Sequence, residues 1–146
     1  MDGNENIPNI CVLIPAYNEA DRIGAVVEKS GRFVDRVLVI DDGSTDRTAS
    51  AAEAAGGEVI RHPRNRGKGA ALRTGFERLI GSECDSVIVL DADGQHDPDE
   101  IRSFVRTAEE TGADIVIGDR MADPSAMPPV RYYTNRLMSR VLSGLC

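Results

Sequence analysis

Short apolar runs alternate along the chain with longer segments in which apolar residues recur at helical spacing. The short runs occupy residues 10–14, 37–40, 59–60, 87–90 and 115–117. Their near-continuous apolarity is typical of strands that are covered on both faces of a sheet. The pattern therefore predicts five strands, the first of which is closed by Pro15.

Three of the intervening segments are predicted to be helices. Residues 46–55 have high helix propensity, follow the N-cap residues Ser44 and Thr45, and end at Gly56. The other two helices each carry an apolar face, formed by Leu72, Phe76, Leu79 and Ile80 in one and by Ile101, Phe104, Val105 and Ala108 in the other.

The alternation of strands and helices indicates βαβ units, and hence an α/β fold with a mainly parallel central sheet and helices on both faces. A length of 146 residues suits one domain, which we expect to span residues 1–146. Ligands of such sheets bind outside the carboxyl ends of the strands. The residues that follow each strand are therefore the candidates for a functional site.

The composition narrows the class of protein. The chain is 41% apolar and 28% charged, with a net charge of −7, and this excess of acid argues against a general nucleic-acid-binding protein. The N-terminus is acidic and polar, unlike a signal peptide, and no apolar run is long enough to span a bilayer. We therefore expect a soluble, cytoplasmic domain without a transmembrane segment.

Three cysteines, Cys11, Cys84 and Cys146, are widely spaced and odd in number. They lack the C-x-x-C spacing of zinc sites, and their number does not suit a disulfide framework. We therefore predict reduced and mostly buried thiols.

Acidic residues follow two of the predicted strands. Asp41 and Asp42 follow the second strand, and two adjacent carboxylates at the end of a buried strand repel each other, which suggests a partner outside the chain. Asp91, Asp93 and Gln95 follow the fourth strand, and oxygen donors at alternate positions suit a hard cation that also binds phosphate.

A calcium loop does not explain these acids. Counted from Asp91, the sixth and twelfth positions hold His96 and Arg102, where an EF-hand requires glycine and glutamate. The acids at residues 97–100 are explained by the start of a helix, with Asp97 as its N-cap and Pro98 in its first turn.

The string P-A-Y-N-E at residues 15–19 has two interpretations. It is a turn with Asn18 as a helix N-cap, or it is part of a site in which Tyr17 forms an apolar wall and Glu19 accepts hydrogen bonds from a ligand.

A basic segment at residues 61–69 stands out in this acidic chain. It departs from both the Walker A and the G-x-G-x-x-G patterns, yet a helix that opens with Gly67 and Lys68 offers N–H groups and positive charge to an anion. The alternative is a solvated basic loop. Arg120 and Arg131, after the fifth strand, suit phosphate recognition or surface salt bridges.

The set of strings P-A-Y-N-E, V-I-D-D-G-S-T-D-R-T, N-R-G-K-G-A-A-L-R-T-G, V-L-D-A-D-G-Q-H-D-P and G-D-R, in this order, strongly resembles glycosyltransferase family 2. Within that family the chain is most similar to the polyprenyl-phosphate (dolichyl-phosphate) mannose and glucose synthases, from residue 10 to about residue 142. The resemblance implies a GT-A fold, a Rossmann-like nucleotide-diphospho-sugar transferase fold, with a nucleotide-sugar donor and Mg²⁺ or Mn²⁺ as cofactor.

The resemblance also implies roles for individual residues. Residues of the donor site would be Pro15, Ala16, Tyr17 and Glu19 in the nucleoside pocket, Asp41 and Asp42 at the base and ribose, and Gly67 and Lys68 at the border of the nucleotide. Asp91, Ala92 and Asp93 would form the D-x-D motif. The metal would be bound by Asp91, Asp93 and Gln95, with Asp91 shared with the sugar or ribose. Arg120 and Arg131 would contact acceptor or donor phosphates.

The implied reaction is an inverting transfer of a hexose from a UDP- or GDP-sugar to a polyprenyl phosphate at a membrane surface. The metal and nearby arginines would stabilise charge on the leaving diphosphate, and a lipid phosphate is already anionic, so no strong general base is required. Because relatives continue beyond this point, we expect truncation at the acceptor side, and a homo-oligomer is left open. The alternatives are an inactive nucleotide-sugar-binding domain or a sugar-phosphate nucleotidyltransferase, although the latter normally has a glycine-rich loop after its first strand.

Overall fold

A parallel sheet of four strands organises the part of the chain that this computed structural model describes, which is residues 9–94 and 98–118 without the side chain of Asp99. The strands are β1 (Ile10–Ala16), β2 (Arg36–Asp41), β3 (Glu58–Arg61) and β4 (Ser86–Val89). They lie in the order β3-β2-β1-β4, and every pair is parallel. The first four predicted strands are confirmed, although β1 continues through Pro15 to Ala16.

Helices connect the strands and cover both faces of the sheet. They are α1 (Ala20–Ser30), α2 (Thr48–Ala54), α3 (Lys68–Leu79) and α4 (Ile101–Thr111), and a 3₁₀ turn, Pro98–Glu100, leads into α4. Helices α1 and α2 pack together and enclose one apolar core, whereas α3 packs on β1 and β2 and encloses a second core on the other face. The predicted α/β architecture is confirmed. None of these described helices is long and apolar enough to cross a membrane.

Strand β1 supplies buried side chains to both cores. Val12 and Ile14 belong to the core under α1 and α2, and Cys11 and Leu13 belong to the core under α3. All four are fully buried. This explains why the strand reads as a continuous apolar run, because alternate residues face opposite sides of a sheet that is covered twice.

The buried face of α3 differs from the predicted one. Ala71, Gly75 and Leu79 are buried, whereas Phe76 and Ile80 are 41% and 78% exposed. A Cβ atom on Gly75 would lie 2.3 Å from Leu13 Cδ1, so the helix approaches β1 through its smallest residues. In α4, by contrast, Ile101 is buried and Phe104, Val105 and Ala108 are half-buried, which confirms that apolar face.

The helix predicted at residues 46–55 starts later than expected. It begins at Thr48, and Ser44 and Thr45 do not cap it. Instead the Ser44 hydroxyl accepts the N–H of Asn18, and the Thr45 N–H donates to Asn18 Oδ1. These side chains tie the loop after β2 to the loop after β1, and Asp46 Oδ1 accepts the Thr48 N–H at the true helix start.

The fifth predicted strand, at residues 115–117, is wrong for this structure. Residues 115–118 carry no regular secondary structure, and Ile115 and Ile117 are 78% and 85% exposed. A strand requires a hydrogen-bonded neighbour, and an apolar run does not reveal whether one is available. The chain divides after Arg106 into two compact units, and the described part of the second consists of the end of α4 and this irregular segment.

The prediction of reduced thiols is also wrong for two of the cysteines. Cys11 and Cys84 form a disulfide, with Cα atoms 5.9 Å apart. The two residues are separated by 73 positions in sequence, but the parallel register places Cys11 beside Val87, close to the turn that holds Cys84. Spacing along the chain could not show this proximity. Cys146 lies outside the described residues.

Candidate functional site

A cleft of about 370 Å³ lies at the carboxyl ends of the strands. The chain runs from β1 through β2 to β3 on one side and then returns to place β4 on the other side of β1. The sheet therefore has its switch point between β1 and β4, which is where open α/β sheets bind ligands. The residues that line the cleft are Pro15, Ala16, Tyr17, Glu19, Asp42, Asn65, Gly67, Lys68, Ala71, Asp91, Ala92 and Asp93.

Proline at position 15 explains where the pairing of β1 with β4 ends. The last paired residues are Leu13 and Val89, followed by a hydrogen bond from the Leu90 N–H to the Leu13 carbonyl. The next bond of a parallel ladder would come from the N–H of Pro15, which proline lacks. On its other side β1 stays paired with β2 as far as Ala16. Strands β1 and β4 can therefore separate beyond this point, at the floor of the cleft.

Most of the site residues predicted from the sequence lie together in this cleft. Asp41 is the exception among the described ones, because it is fully buried and does not line the cleft. Gln95, Arg120 and Arg131 lie outside the described residues. The sequence did not single out Asn65 or Ala71; their only signal was their place beside Gly67 and Lys68 in the same string.

Asp42 holds one wall of the cleft in place. It is 3% exposed, and its carboxylate accepts the backbone N–H groups of Arg66 (3.0 Å) and Gly67 (2.7 Å). Because a carboxylate only accepts, the Nδ1–H of buried His62 donates to Asp42 Oδ1 at 2.6 Å. The other ring nitrogen of His62 lies 2.9 Å from the hydroxyl of Thr74 in α3. The carboxylate therefore joins the ends of β2 and β3 to the start of α3.

The ionisation of Asp42 reflects these contacts. Burial raises the pKa of the Asp42 carboxyl, but the hydrogen bond from His62 and the backbone N–H groups of Arg66 and Gly67 outweigh it and leave the pKa below its ordinary value. Asp42 is therefore a carboxylate throughout the neutral range.

Asp41 also has partners within the chain, although its buried Oδ2 accepts no hydrogen bond from the described residues. Its Oδ1 accepts the Ser44 N–H at 2.9 Å, and its Oδ2 lies 3.1 Å from Arg61 Nε in an ion-pair contact without hydrogen-bond geometry. The expectation that the two adjacent acids require a partner outside the chain is therefore corrected, because Arg61, His62 and backbone N–H groups supply their partners. Contacts of Asp41 and Asp42 with a base or ribose remain predictions.

The loop after β1 forms the opposite wall. The Tyr17 ring is 45% exposed, and the Glu19 carboxylate pairs with Arg22 at 3.1 Å. Asn18 has a positive φ of 54° and links this loop to the loop after β2, so it is not the N-cap of α1; that position belongs to Glu19. Tyr17 lines the cleft, and its role as an apolar wall for a ligand remains a prediction.

Gly43 allows the loops after β2 and β3 to come together. Its φ is +73°, and a Cβ atom there would lie 2.3 Å from the Arg64 carbonyl carbon. The loop that presents Asn65 and Gly67 to the cleft therefore rests on the backbone of the D-D-G-S turn, at a distance that any side chain at position 43 would prevent.

An ion pair connects the start of α3 to the segment after β4, which forms a third wall of the cleft. The ammonium of Lys68, the first residue of α3, forms a hydrogen-bonded ion pair with Asp91 Oδ1, just after β4. The side chains are 59% and 31% exposed, so the contact lies at the solvent-accessible mouth of the cleft. Asp93 lines the same wall two residues further on.

Asp91 and Asp93, the acids after β4, suit a divalent cation that is also bound by substrate phosphates. Within residues 9–94 and 98–118, no group of three or more His, Cys, Asp or Glu side chains is arranged to hold a metal ion. Mg²⁺, however, is commonly bound by one or two carboxylates together with substrate phosphates, and Asp91 and Asp93 supply such a pair at the cleft. The ammonium of Lys68 already shows that Asp91 accepts a cation on this side.

Sheet order, cleft and acids together define an α/β protein with a ligand site at the switch point of a parallel sheet. Residues 11–142 match glycosyl transferase family 2, and the chain belongs to this family. It is 38% identical over 138 residues to glycosyltransferase AglJ of Haloferax volcanii, which covers 92% of this chain and 44% of that protein. It is 35% identical over 155 residues to an undecaprenyl-phosphate 4-deoxy-4-formamido-L-arabinose transferase of Shewanella sediminis, which covers 97% of this chain and 45% of that protein.

Solved structures support the same fold. The crystal structure of Mycobacterium tuberculosis glucosyl-3-phosphoglycerate synthase matches with a TM-score of 0.60 and 31% identity, covering 76% of this chain and 43% of that one. That enzyme has also been crystallised with Mn²⁺, UDP and glucosyl-3-phosphoglycerate, a structure that matches with a TM-score of 0.57 and 27% identity over 73% of this chain and 41% of that one. The predicted GT-A fold is confirmed. The chain spans about half the length of the curated relatives it matches.

Proposed function

We propose that this protein is a metal-dependent glycosyltransferase that moves a hexose from a UDP- or GDP-sugar to a polyprenyl (dolichyl) phosphate, with inversion at the anomeric carbon. The observation that carries the proposal is the cleft, in which the loop after β1, the start of α3 and the acids after β4 form one site. Membership of glycosyl transferase family 2, with relatives named as glycosyltransferases and undecaprenyl-phosphate transferases, supports it.

The walls of the cleft suit the parts of a nucleotide-sugar. The half-exposed ring of Tyr17 offers an apolar surface to a nucleoside, and Glu19 offers a hydrogen-bond acceptor beside it. Opposite them, Gly67 and Lys68 open α3, so the positive end of the helix and an ammonium group face the place where a diphosphate would lie.

The chemistry follows from these charges. Mg²⁺ or Mn²⁺ held by Asp91 and Asp93, with Gln95 as the proposed third ligand, would supply charge neutralisation at the diphosphate leaving group. Lys68 and the start of α3 orient that diphosphate and stabilise the negative charge that grows on it. Arg120 and Arg131 are proposed to bind acceptor or donor phosphates. A lipid phosphate is already anionic, so the chain needs no strong base at the acceptor oxygen.

The setting of the reaction is part of the proposal. A polyprenyl phosphate acceptor requires the protein to work at a membrane surface, for which we propose the cytoplasmic face. Residues 1–146 acting as one catalytic domain, and an assembly of identical subunits, remain predictions as well.

Thermal melting tests the donor site. UDP- and GDP-sugars should raise the melting temperature when Mn²⁺ or Mg²⁺ is present and leave it unchanged without metal, because Asp91 and Asp93 would bind the metal jointly with the diphosphate. Asp93→Asn should abolish this shift. The matched control is Asp21→Asn, on the exposed part of α1, which should keep it. The proposal fails when none of the nucleotides stabilises the protein in a metal-dependent manner.

A transfer assay separates the proposed activity from its alternatives. Labelled sugar should pass from the stabilising nucleotide-sugar to undecaprenyl or dolichyl phosphate and appear in the organic phase. Metal-dependent binding without transfer would favour a binding-only domain. Release of pyrophosphate from a nucleoside triphosphate and a sugar phosphate would identify a nucleotidyltransferase, whose glycine-rich loop is replaced here by residues 15–19.

A further inference from the structure

The ion pair between Lys68 and Asp91 joins the start of α3 to the chain just after β4, across the mouth of the cleft. Lys68 is the first residue of α3, and Asp91 follows the end of β4. Both side chains line the cleft and remain accessible to solvent. The contact therefore lies within the cleft and occupies Asp91, one of the two acids proposed to hold the metal.

The Lys68 ammonium and the proposed metal ion would compete for the carboxylate of Asp91. The Lys68 ammonium uses Asp91 Oδ1, and the proposed metal would use the carboxylates of Asp91 and Asp93. Ion pairs this accessible to solvent are weak, and lysine carries its charge on a flexible stem, so the ammonium can leave at little cost. Once it has left Asp91, the ammonium can pair with an anion bound beside Gly67 at the start of α3, which lines the same cleft.

We propose that Lys68 is an exchangeable counter-ion, which holds Asp91 in the ligand-free protein and transfers to the diphosphate when metal and nucleotide bind together. This inference rests on the proposed function, because it requires a metal and a nucleoside diphosphate in the cleft. Lys68 acts here as a positioning residue for Asp91 and as a direct contact of the diphosphate.

The exchange couples the two ligands. A metal ion that binds alone must displace Lys68 from Asp91 and leaves the ammonium without a new partner. A metal ion that binds with a nucleoside diphosphate provides that partner at the same time. Each ligand therefore raises the affinity for the other, and the coupling is equal in both directions. A static surface ion pair would contribute to stability but not to this coupling.

The test compares the binding of Mn²⁺ to the wild-type chain and to Lys68→Met, without nucleotide and with saturating UDP, and with GDP in a parallel series. Without nucleotide, we expect Lys68→Met to bind Mn²⁺ about three- to tenfold more tightly, because the competing ammonium is gone. With nucleotide, we expect the gain in Mn²⁺ affinity that UDP or GDP produces to fall about tenfold, because a charge-assisted contact with the diphosphate is lost. Titration calorimetry and the electron paramagnetic resonance of free Mn²⁺ give both quantities.

Two further variants separate the exchange from general electrostatics. Arg73→Met removes one positive charge from the exposed side of the same helix, outside the cleft, and should leave both affinities unchanged. Lys68→Arg keeps the charge and should keep most of the coupling. Circular dichroism melts establish that each variant is folded, and Lys68→Gln serves the same comparison should Lys68→Met fail to fold.

The outcomes distinguish this inference from the proposed function. If the wild-type chain fails to bind Mn²⁺ together with UDP and also fails to bind it together with GDP, the proposed function is wrong. When the wild-type chain shows coupling but Lys68→Met binds Mn²⁺ alone no more tightly than wild type, the inference is overturned and the proposed function stands. A higher Mn²⁺ affinity of Lys68→Met without nucleotide, together with a smaller gain from UDP or GDP, supports the exchange.

Discussion

At the residue scale, Asp42 shows how the site is held together by partners within the chain. The sequence predicted correctly that adjacent acids at the end of a buried strand require compensation, but it placed the compensation outside the chain. The structure supplies it from His62, 20 positions away, and from the N–H groups of Arg66 and Gly67. Backbone donors leave no trace in an amino-acid sequence, because every residue except proline has one. The sequence could therefore not identify these partners.

Replacing Asp42 by asparagine should make the protein less stable at neutral pH. The asparagine amide would lose the charge that His62 and the two backbone N–H groups stabilise, at a cost of about 1–3 kcal/mol in the free energy of unfolding. The folded-state pKa of Asp42 lies below its ordinary value of 3.8, so its contribution is complete above that value and is lost as the pH falls through the folded pKa. The difference between wild type and Asp42→Asn should therefore shrink below about pH 3.8. Urea unfolding at pH 7, 5 and 3 measures it.

Asp46→Asn is the control for this comparison. The hydroxyl and N–H of Thr48 also lower the pKa of Asp46, but Asp46 is exposed on the surface at the start of α2. The single amide oxygen of asparagine can still accept both bonds from Thr48, whereas the bond from the Ala20 N–H to Oδ2 is lost. Its effect at pH 7 should be the smaller of the two. An equal effect of both substitutions, or a difference for Asp42→Asn that does not depend on pH, would contradict the network described for Asp42.

At the element scale, α3 depends on its close contact with β1. Gly75→Ala places a methyl group 2.3 Å from Leu13 Cδ1 and 2.7 Å from Cδ2, both in a closely packed core. The clash should cost about 1–3 kcal/mol, which exceeds the gain of up to about 1 kcal/mol from the better helix propensity of alanine. The variant should therefore unfold at a lower temperature and a lower urea concentration than wild type.

The same helix contains a matched control. A Cβ atom on Gly69 would meet nothing within 4 Å, so Gly69→Ala should leave the protein as stable as wild type or stabilise it by up to about 1 kcal/mol. In a double-mutant cycle, Gly75→Ala should cost less in the Leu13→Ala background than in the wild-type chain, because the clash with Leu13 is relieved. Equal melting temperatures for the two glycine variants would show that α3 does not rest on β1 as described.

The elements differ in how far the sequence could predict them. Strands were located well because a sheet covered on both faces produces unbroken apolar runs, as in β1 and β2. The buried face of α3 was misjudged because periodicity gives most weight to large side chains such as Phe76 and Ile80, whereas close packing selected Ala71 and Gly75. Residues 115–117 have the composition of a strand, but pairing depends on a neighbour that the run itself does not specify.

At the scale of the whole molecule, the site follows from the order of the strands. The sequence identified the loops after β1, β2, β3 and β4 as candidates, and the order β3-β2-β1-β4 brings residues from all four to one end of the sheet. Asn65 and Ala71 were missed because they became part of the site through the position of α3, not through a chemical motif. The disulfide was missed for a similar reason, since it depends on the register of two strands far apart in sequence.

Reducing the disulfide should lower the stability of the chain. Cys11 and Cys84 close a loop of 73 positions, and loop-closure entropy assigns such a link up to about 4 kcal/mol in the free energy of unfolding. Urea unfolding with and without a thiol reductant measures the loss. Cys84→Ser should resemble the reduced wild type and should not respond to the reductant. Wild-type stability that is unaffected by reductant would argue that the two sulfurs are not linked in solution.

The position of the cleft is determined by the missing backbone N–H of Pro15. The boundary between paired and separated strands is set by one hydrogen atom that the backbone of Pro15 lacks, and not by the chemistry of the side chains around the cleft. Side chains that line the cleft can therefore change while the gap between β1 and β4 stays at the same position in the sheet. In this protein the position of the cleft depends on the backbone of Pro15, whereas the chemistry of its walls depends on side chains, so the two can change separately.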